Sequence, residues 1–167
     1  MADRGWFKQS LSDVEGLEHP RGGKGYLFGE TRPFDRYREV GVNVRVLEPG
    51  QPASLYHSEA AEEFFIVLGG ECLAVVEDNE VPLRKWDFLH TPPHTAHVIV
   101  GAGEGPATVL MIGGRGPAKD PPHYPVSEVA ARHGASVETE TDDPQDAWRQ
   151  AGWEMRLSPA PLPWPPD

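Results

Sequence analysis

The chain has one cysteine, Cys72, and therefore no internal disulfide. Cys72 sits in the alternating segment Glu71 to Val76, where a small buried thiol is the expected reading rather than a nucleophile. No apolar run approaches the ~20 residues needed to cross a bilayer, and the opening MADRGWFKQS has no apolar core of the signal-peptide kind. A cytoplasmic location with no membrane partner is the expectation. Positive charge is scarce as well: 15 basic residues face 26 acidic ones, and the formal net charge of -11 repels phosphate backbones and anionic lipid alike. Nucleic acid is not an expected partner.

Turn chemistry, by contrast, is abundant. With 18 prolines and 18 glycines in 167 residues, the composition suits many short strands better than helices. The length fits one domain with tails. From Gly41 the pattern sharpens: Val42, Val44 and Val46 alternate with Asn43 and Arg45, and Pro49-Gly50 ends the run. Further strand-like segments follow at Ser54 to Glu59, Glu63 to Leu68, Glu71 to Val76, Val81 to Leu83, Asp87 to Thr91, Thr95 to Val100 and Thr108 to Ile112. No helical crossover separates them, so a closed antiparallel sandwich or barrel is expected, an all-β fold.

The ends read differently. Residues 1–40, with a strand-like GYLF at Gly25 to Phe28, are expected to form an N-terminal arm packed on a barrel of residues 41–116. Residues 117–167 form a C-terminal extension in which Ser127 can cap a short helix ended by Gly134. Asp143 and Pro144 can open a second helix. The terminal SPAPLPWPPD is too rich in proline for either regular structure and should be extended, either loose or laid across a surface through Trp164.

Four side chains carry the chemistry: His57, Glu59, Glu63 and His97. On a strand, Glu59 lies two residues beyond His57 and shares its face, while Glu63 opens the returning strand. Two imidazoles and two carboxylates on rigid strands make a pocket for one divalent metal ion. The plainer alternative is a set of solvated rim carboxylates beside a hydrogen-bonded core histidine. Glu62 is one strand position from Glu63 and is expected to face solvent.

These residues resemble the cupin superfamily. Gly50 to Gly70 is similar to the first cupin motif, with His57 as its first histidine, Glu63 as its glutamate and Gly70 as its closing glycine. Trp86 to His97 is similar to the second, with Asp87, Pro92 and His97 in register. The resemblance covers roughly Val42 to Gly113 and implies a small single-domain cupin, a double-stranded β-helix or jelly-roll barrel holding a metal between two sheets. It departs from the family at four points: Glu59 replaces the second histidine, Trp86 and His94 replace glycines, and Gly50 is one residue farther from His57 than usual. The family's three-histidine, one-glutamate set leaves a divalent ion one unit positive, whereas two carboxylates would neutralise it. Fe, Mn, Ni and Zn all suit such mixed ligation. Glu59 can then be either a ligand or a general base beside the metal.

Alternation extends the sketch to Leu55, Phe65, Val67, Thr95 and Ile99 as cavity walls for a small organic ligand. Phe65 is the aromatic wall against that ligand. Arg45 can hold a substrate carboxylate or sit outward in an ion pair, the commoner fate of a strand arginine. His90 and His94 flank the prolines near the cavity mouth; ordinary surface histidines are the plainer reading of both, and His94, where the family carries glycine, is the candidate substrate contact. Phe64, Ile66 and Leu68 are apolar on the opposite face, which the N-terminal arm or a second barrel must cover. The cupin resemblance implies a homodimer. Two functions compete: a metal-dependent enzyme of the dioxygenase or the isomerase/lyase class acting on a small molecule, and a non-catalytic cupin that binds metal or a small ligand.

Overall fold

The computed structural model describes residues 8–11, 14, 16–19, 21–28, 39–114, 120–153 and 156–158. Ten strands run β1 (Gly16–His19), β2 (Gly23–Leu27), β3 (Val40–Leu47), β4 (Glu63–Gly69), β5 (Glu71–Val76), β6 (Asn79–Arg84), β7 (Phe88–Thr91), β8 (His97–Ala102), β9 (Ala107–Gly114) and β10 (Arg156–Ser158). They form two antiparallel sheets, one of seven strands in the order β10-β1-β2-β3-β9-β4-β7 and one of three in the order β6-β5-β8. The expected all-β jelly-roll barrel is the observed architecture. Residues 16–27 do more than pack on it, because β1 and β2 extend the larger sheet from β3. The rest of the expected arm falls partly outside the described residues, as does the tail beyond Ser158 with Trp164.

The core follows the period of two. Leu47, Phe65, Val67, Val109 and Met111 from the large sheet meet Cys72, Ala74, Leu83 and Ile99 from the small one. Cys72 is 2% exposed, and burial pushes its thiol up to about 12, which makes it a small apolar side chain. The small sheet is buried on its other face too. Val75, Val98 and Val100 pack against Tyr56, Ala130 and Ala135, so the C-terminal extension closes the barrel on that side.

Two short helices order the extension. In α1 (Glu128–Ala131) Ser127 Oγ accepts from Ala130 N at 2.9 Å; in α2 (Pro144–Ala151) Asp143 Oδ1 accepts from Gln145 N at 2.9 Å. Gly152 ends α2 in the left-handed conformation, and Gly134 follows α1 at φ 66°. Among the described residues no helix is long and apolar enough to cross a membrane.

One expected strand is absent. Ser54 to Glu59 makes only isolated bridges, because successive residues bond to different partners: Tyr56 N to Ala135 O, His57 to His97, and Ser58 to His123. The expected strand at Thr95 begins only at His97, after the turn through Pro93 and His94.

Candidate metal centre

One antiparallel bridge joins the two histidines: His57 N donates to His97 O at 3.2 Å, and His97 N donates to His57 O at 2.9 Å. Side chains of such a pair leave the backbone on the same side, and the ring centroids lie 5.3 Å apart. Each ring is then fixed from behind. His57 Nδ1 is 2.7 Å from Leu55 O, and His97 Nδ1 is 2.9 Å from Thr95 O. A carbonyl can only accept, so both Nδ1 atoms carry protons, and in the neutral rings both Nε2 atoms keep their lone pairs.

Glu63 reaches the same space from the inward face of β4. Its Oε2 is shielded from solvent and lies 2.8 Å from His97 Nε2, yet without hydrogen-bond geometry between the two. One ligand atom each from His57, Glu63 and His97 lies within 4.8 Å of the other two. The donor set fits a divalent ion on chemical grounds: two imidazole nitrogens and a carboxylate oxygen, with both imidazoles oriented by backbone carbonyls. Burial alone would lower the His57 pKa. The hydrogen bond to Glu59 and the charges of Glu63 and Glu59 outweigh it and hold the pKa above the usual imidazole value, so a proton and a cation compete for Nε2.

Packing stiffens the pair. Tyr124 stacks on His57 at 5.6 Å and 24°, and Phe65 meets His97 edge-on at 5.2 Å. The centre opens into a cavity of about 140 Å³, lined among others by Asn43, Arg45, Phe65, Ile99 and Met111.

The remaining sequence candidates divide. Phe65 lines the cavity, as does Ile99, but Leu55, Val67 and Thr95 do not. Leu55 packs against Tyr124, Val137 and Ala147 instead, because its segment is no strand and alternation does not govern it. Val67 lies in the sealed core. Glu59 stands outside the three-residue group, about a third exposed, with Oε1 3.5 Å from His57 Nε2. Glu62 faces solvent and pairs with His90 Nε2 at 3.0 Å. His94 is largely exposed, 4.0 Å from Asp120, and its backbone N–H donates to Glu59 O. It does not line the cavity.

Arg45 faces the cavity, not the outward ion pair that strand statistics favour. Its partner across β2 is Gly25, where a Cβ would fall 2.6 Å from Arg45 Nη1, so the bare glycine gives the guanidinium its berth. Asn43 and Met111 are cavity residues that sequence reasoning missed, although Asn43 shares a strand face with Arg45. Nothing in the chain order signalled Tyr124, which is 67 positions beyond His57.

Residues 43–113 match the family described as cupin domain. The barrel is a cupin domain. Solved structures with TM-scores above 0.5 share the fold of this barrel. A sugar phosphate isomerase of a cupin superfamily from Silicibacter pomeroyi is 22% identical over 95% of this chain and 98% of that one, with a TM-score of 0.61. The polyketide cyclase RemF from Streptomyces resistomycificus is 15% identical over 65% of this chain and 79% of that one, with a TM-score of 0.54. A candidate sugar phosphate isomerase from Acidithiobacillus ferrooxidans is 28% identical over 56% of this chain, and the match spans 61% of that protein, with a TM-score of 0.48. No curated protein matches the sequence.

Proposed function

We propose that this cupin is a metal-dependent enzyme acting on a small organic molecule, of the isomerase/lyase class. The convergence of His57, His97 and Glu63 on one point, with both imidazoles locked from behind, carries this reading. A divalent ion there, Fe, Mn, Ni or Zn, would act as a Lewis acid on a substrate oxygen. The chain supplies the rest. Glu59, outside the ligand group yet 3.5 Å from His57 Nε2, is our candidate for the general base that takes a proton from the substrate. Phe65, Ile99 and Met111 supply the apolar part of the cavity wall. The isomerase and cyclase activities named for two structural neighbours are compatible with such proton transfer, at identities that speak for the fold alone. The two-histidine, one-carboxylate set favours a second reading, oxygen chemistry at non-haem iron.

Metal analysis of the purified protein tests the first step. About one ion per chain is expected, lost in His57→Ala and His97→Ala. A parent protein that stays empty after reconstitution with each of the four metals would overturn both readings. With metal bound, oxygen uptake on a panel of catechols and enediols would favour the second reading, and proton exchange into substrate without oxygen uptake the first. Glu59→Gln is expected to keep the ion and lose at least a hundredfold in turnover. Metal binding with no turnover on any substrate would leave a non-catalytic binding cupin.

We further infer that two copies pair through the outer face of the seven-stranded sheet. Phe64, Ile66, Leu110 and Ile112 are half-buried there, and Phe88 on the edge strand is 59% exposed. An apolar face of this kind suits a two-fold dimer, in which each copy covers the same patch of the other.

A further inference from the structure

Besides Glu63 Oε2, two polar groups on the cavity lining lack hydrogen-bond partners. Arg45 Nε and Asn43 Oδ1 are each shielded from solvent and make no hydrogen bond, and Arg45 forms no ion pair among the described residues. They stand two apart on the same face of β3, and so are directed into the same space. A buried guanidinium without a counter-charge is costly, and a chain of net charge -11 had acidic side chains in plenty to supply one. Among the described residues the cavity's one carboxylate, Glu63, belongs to the histidine group and makes no ion pair with Arg45, which leaves the guanidinium open to a bound anion.

We propose that the cavity binds a short-chain hydroxy- or oxo-carboxylate, with its carboxylate on Arg45, a hydroxyl donating to Asn43 Oδ1, and the oxygen at its other end directed to the His57, His97 and Glu63 group. The guanidinium presents Nε and an adjacent Nη as a planar fork that matches the two oxygens of a carboxylate. A phosphate group would ask for more positive charge than the walls offer, because among the described residues Arg45 is the one lysine or arginine on the lining and Phe65, Ile99 and Met111 are apolar. The cavity, about 140 Å³, has room for a short organic acid. Gly25 is the positioning residue, since a Cβ there would meet Arg45 Cζ at 2.9 Å and drive the fork aside. The half of the argument that concerns the other oxygen rests on the metal reading above, and the carboxylate half does not.

Calorimetric titration of the full chain, metal-free and zinc-loaded, with lactate and pyruvate tests the proposal, with lactamide and inorganic phosphate as controls. Saturable binding of the two carboxylates is expected, with lactamide and phosphate at least tenfold weaker. Arg45→Met should lose at least tenfold in carboxylate affinity while keeping the parent's zinc content, and Gly25→Ala should weaken carboxylate binding in the same direction. In the unaltered protein, saturating lactate should shift the Arg45 Nε–H nitrogen resonance, a readout that stands even if Arg45→Met fails to fold. Unchanged affinity in a folded Arg45→Met, an unmoved Nε–H resonance, or phosphate bound ahead of the carboxylates would overturn it. Carboxylate binding through Arg45 in a protein that takes up no metal would uphold this inference and sink the metal reading, and zinc uptake without carboxylate binding would do the reverse.

Discussion

His94 and Trp86 stand where cupins carry glycine, and both have positive φ, 64° and 74°. That conformation is what glycine adopts freely and what a side chain with a Cβ resists. The family's preference thus reports backbone geometry at two turns, and the suspicion attached to His94 as a substrate contact has a conformational explanation. A paired substitution tests it. His94→Gly and His94→Ala both delete the imidazole, yet the glycine variant should be the more stable by about 1 kcal/mol in chemical denaturation, the reverse of the order seen in a strand or helix. Equal or inverted stabilities would show that the turn tolerates a Cβ. At this scale the motif spacing made His57, Glu63 and His97 legible. The protonation of their rings was not, because it depends on the carbonyls of Leu55 and Thr95 reaching Nδ1.

Among the elements, β3 shows why pattern alone misleads. Its valines look like the core face, but Leu47 and Arg45 point inward while Val44 is buried on the other side, paired with Tyr26 of β2. Both faces of β3 carry buried side chains, so alternation identifies two faces without saying which one is the barrel interior. The segment from Ser54 to Glu59 fails for a related reason: its hydrogen bonds go to three separate partners, none of them near in sequence. The helices were more legible because caps are local. Ser127 serves two masters, accepting from Ala130 N and donating to Asp78 Oδ1 at 2.5 Å, and so ties the extension to the turn between β5 and β6. Ser127→Ala should cost about 1 to 2 kcal/mol in denaturant titration. A loss under a few tenths would mean that neither bond matters.

For the whole molecule, the proposed dimer is the main consequence of shape. Phe64 stacks on His90 at 4.9 Å, and Phe88 lies 6.0 Å from Phe64, so the outer face ends in an aromatic cluster at the free edge of the sheet. Light scattering should give about twice the chain mass of 18.4 kDa, and Phe88→Glu together with Ile66→Glu should give a folded single chain. A parent mass near one chain would refute pairing.

By itself, the sequence determined the all-β architecture, the two helix starts and three of the residues at the candidate centre, because these depend on period, caps and short-range spacing. Tertiary structure alone decided that Arg45 turns inward over Gly25, that Glu59 stands aside from the ligand group, and that Tyr124 stacks on His57. Each of those outcomes depends on which distant strand or loop lies alongside, and hydrogen-bond pairing between remote segments leaves no trace in local sequence pattern.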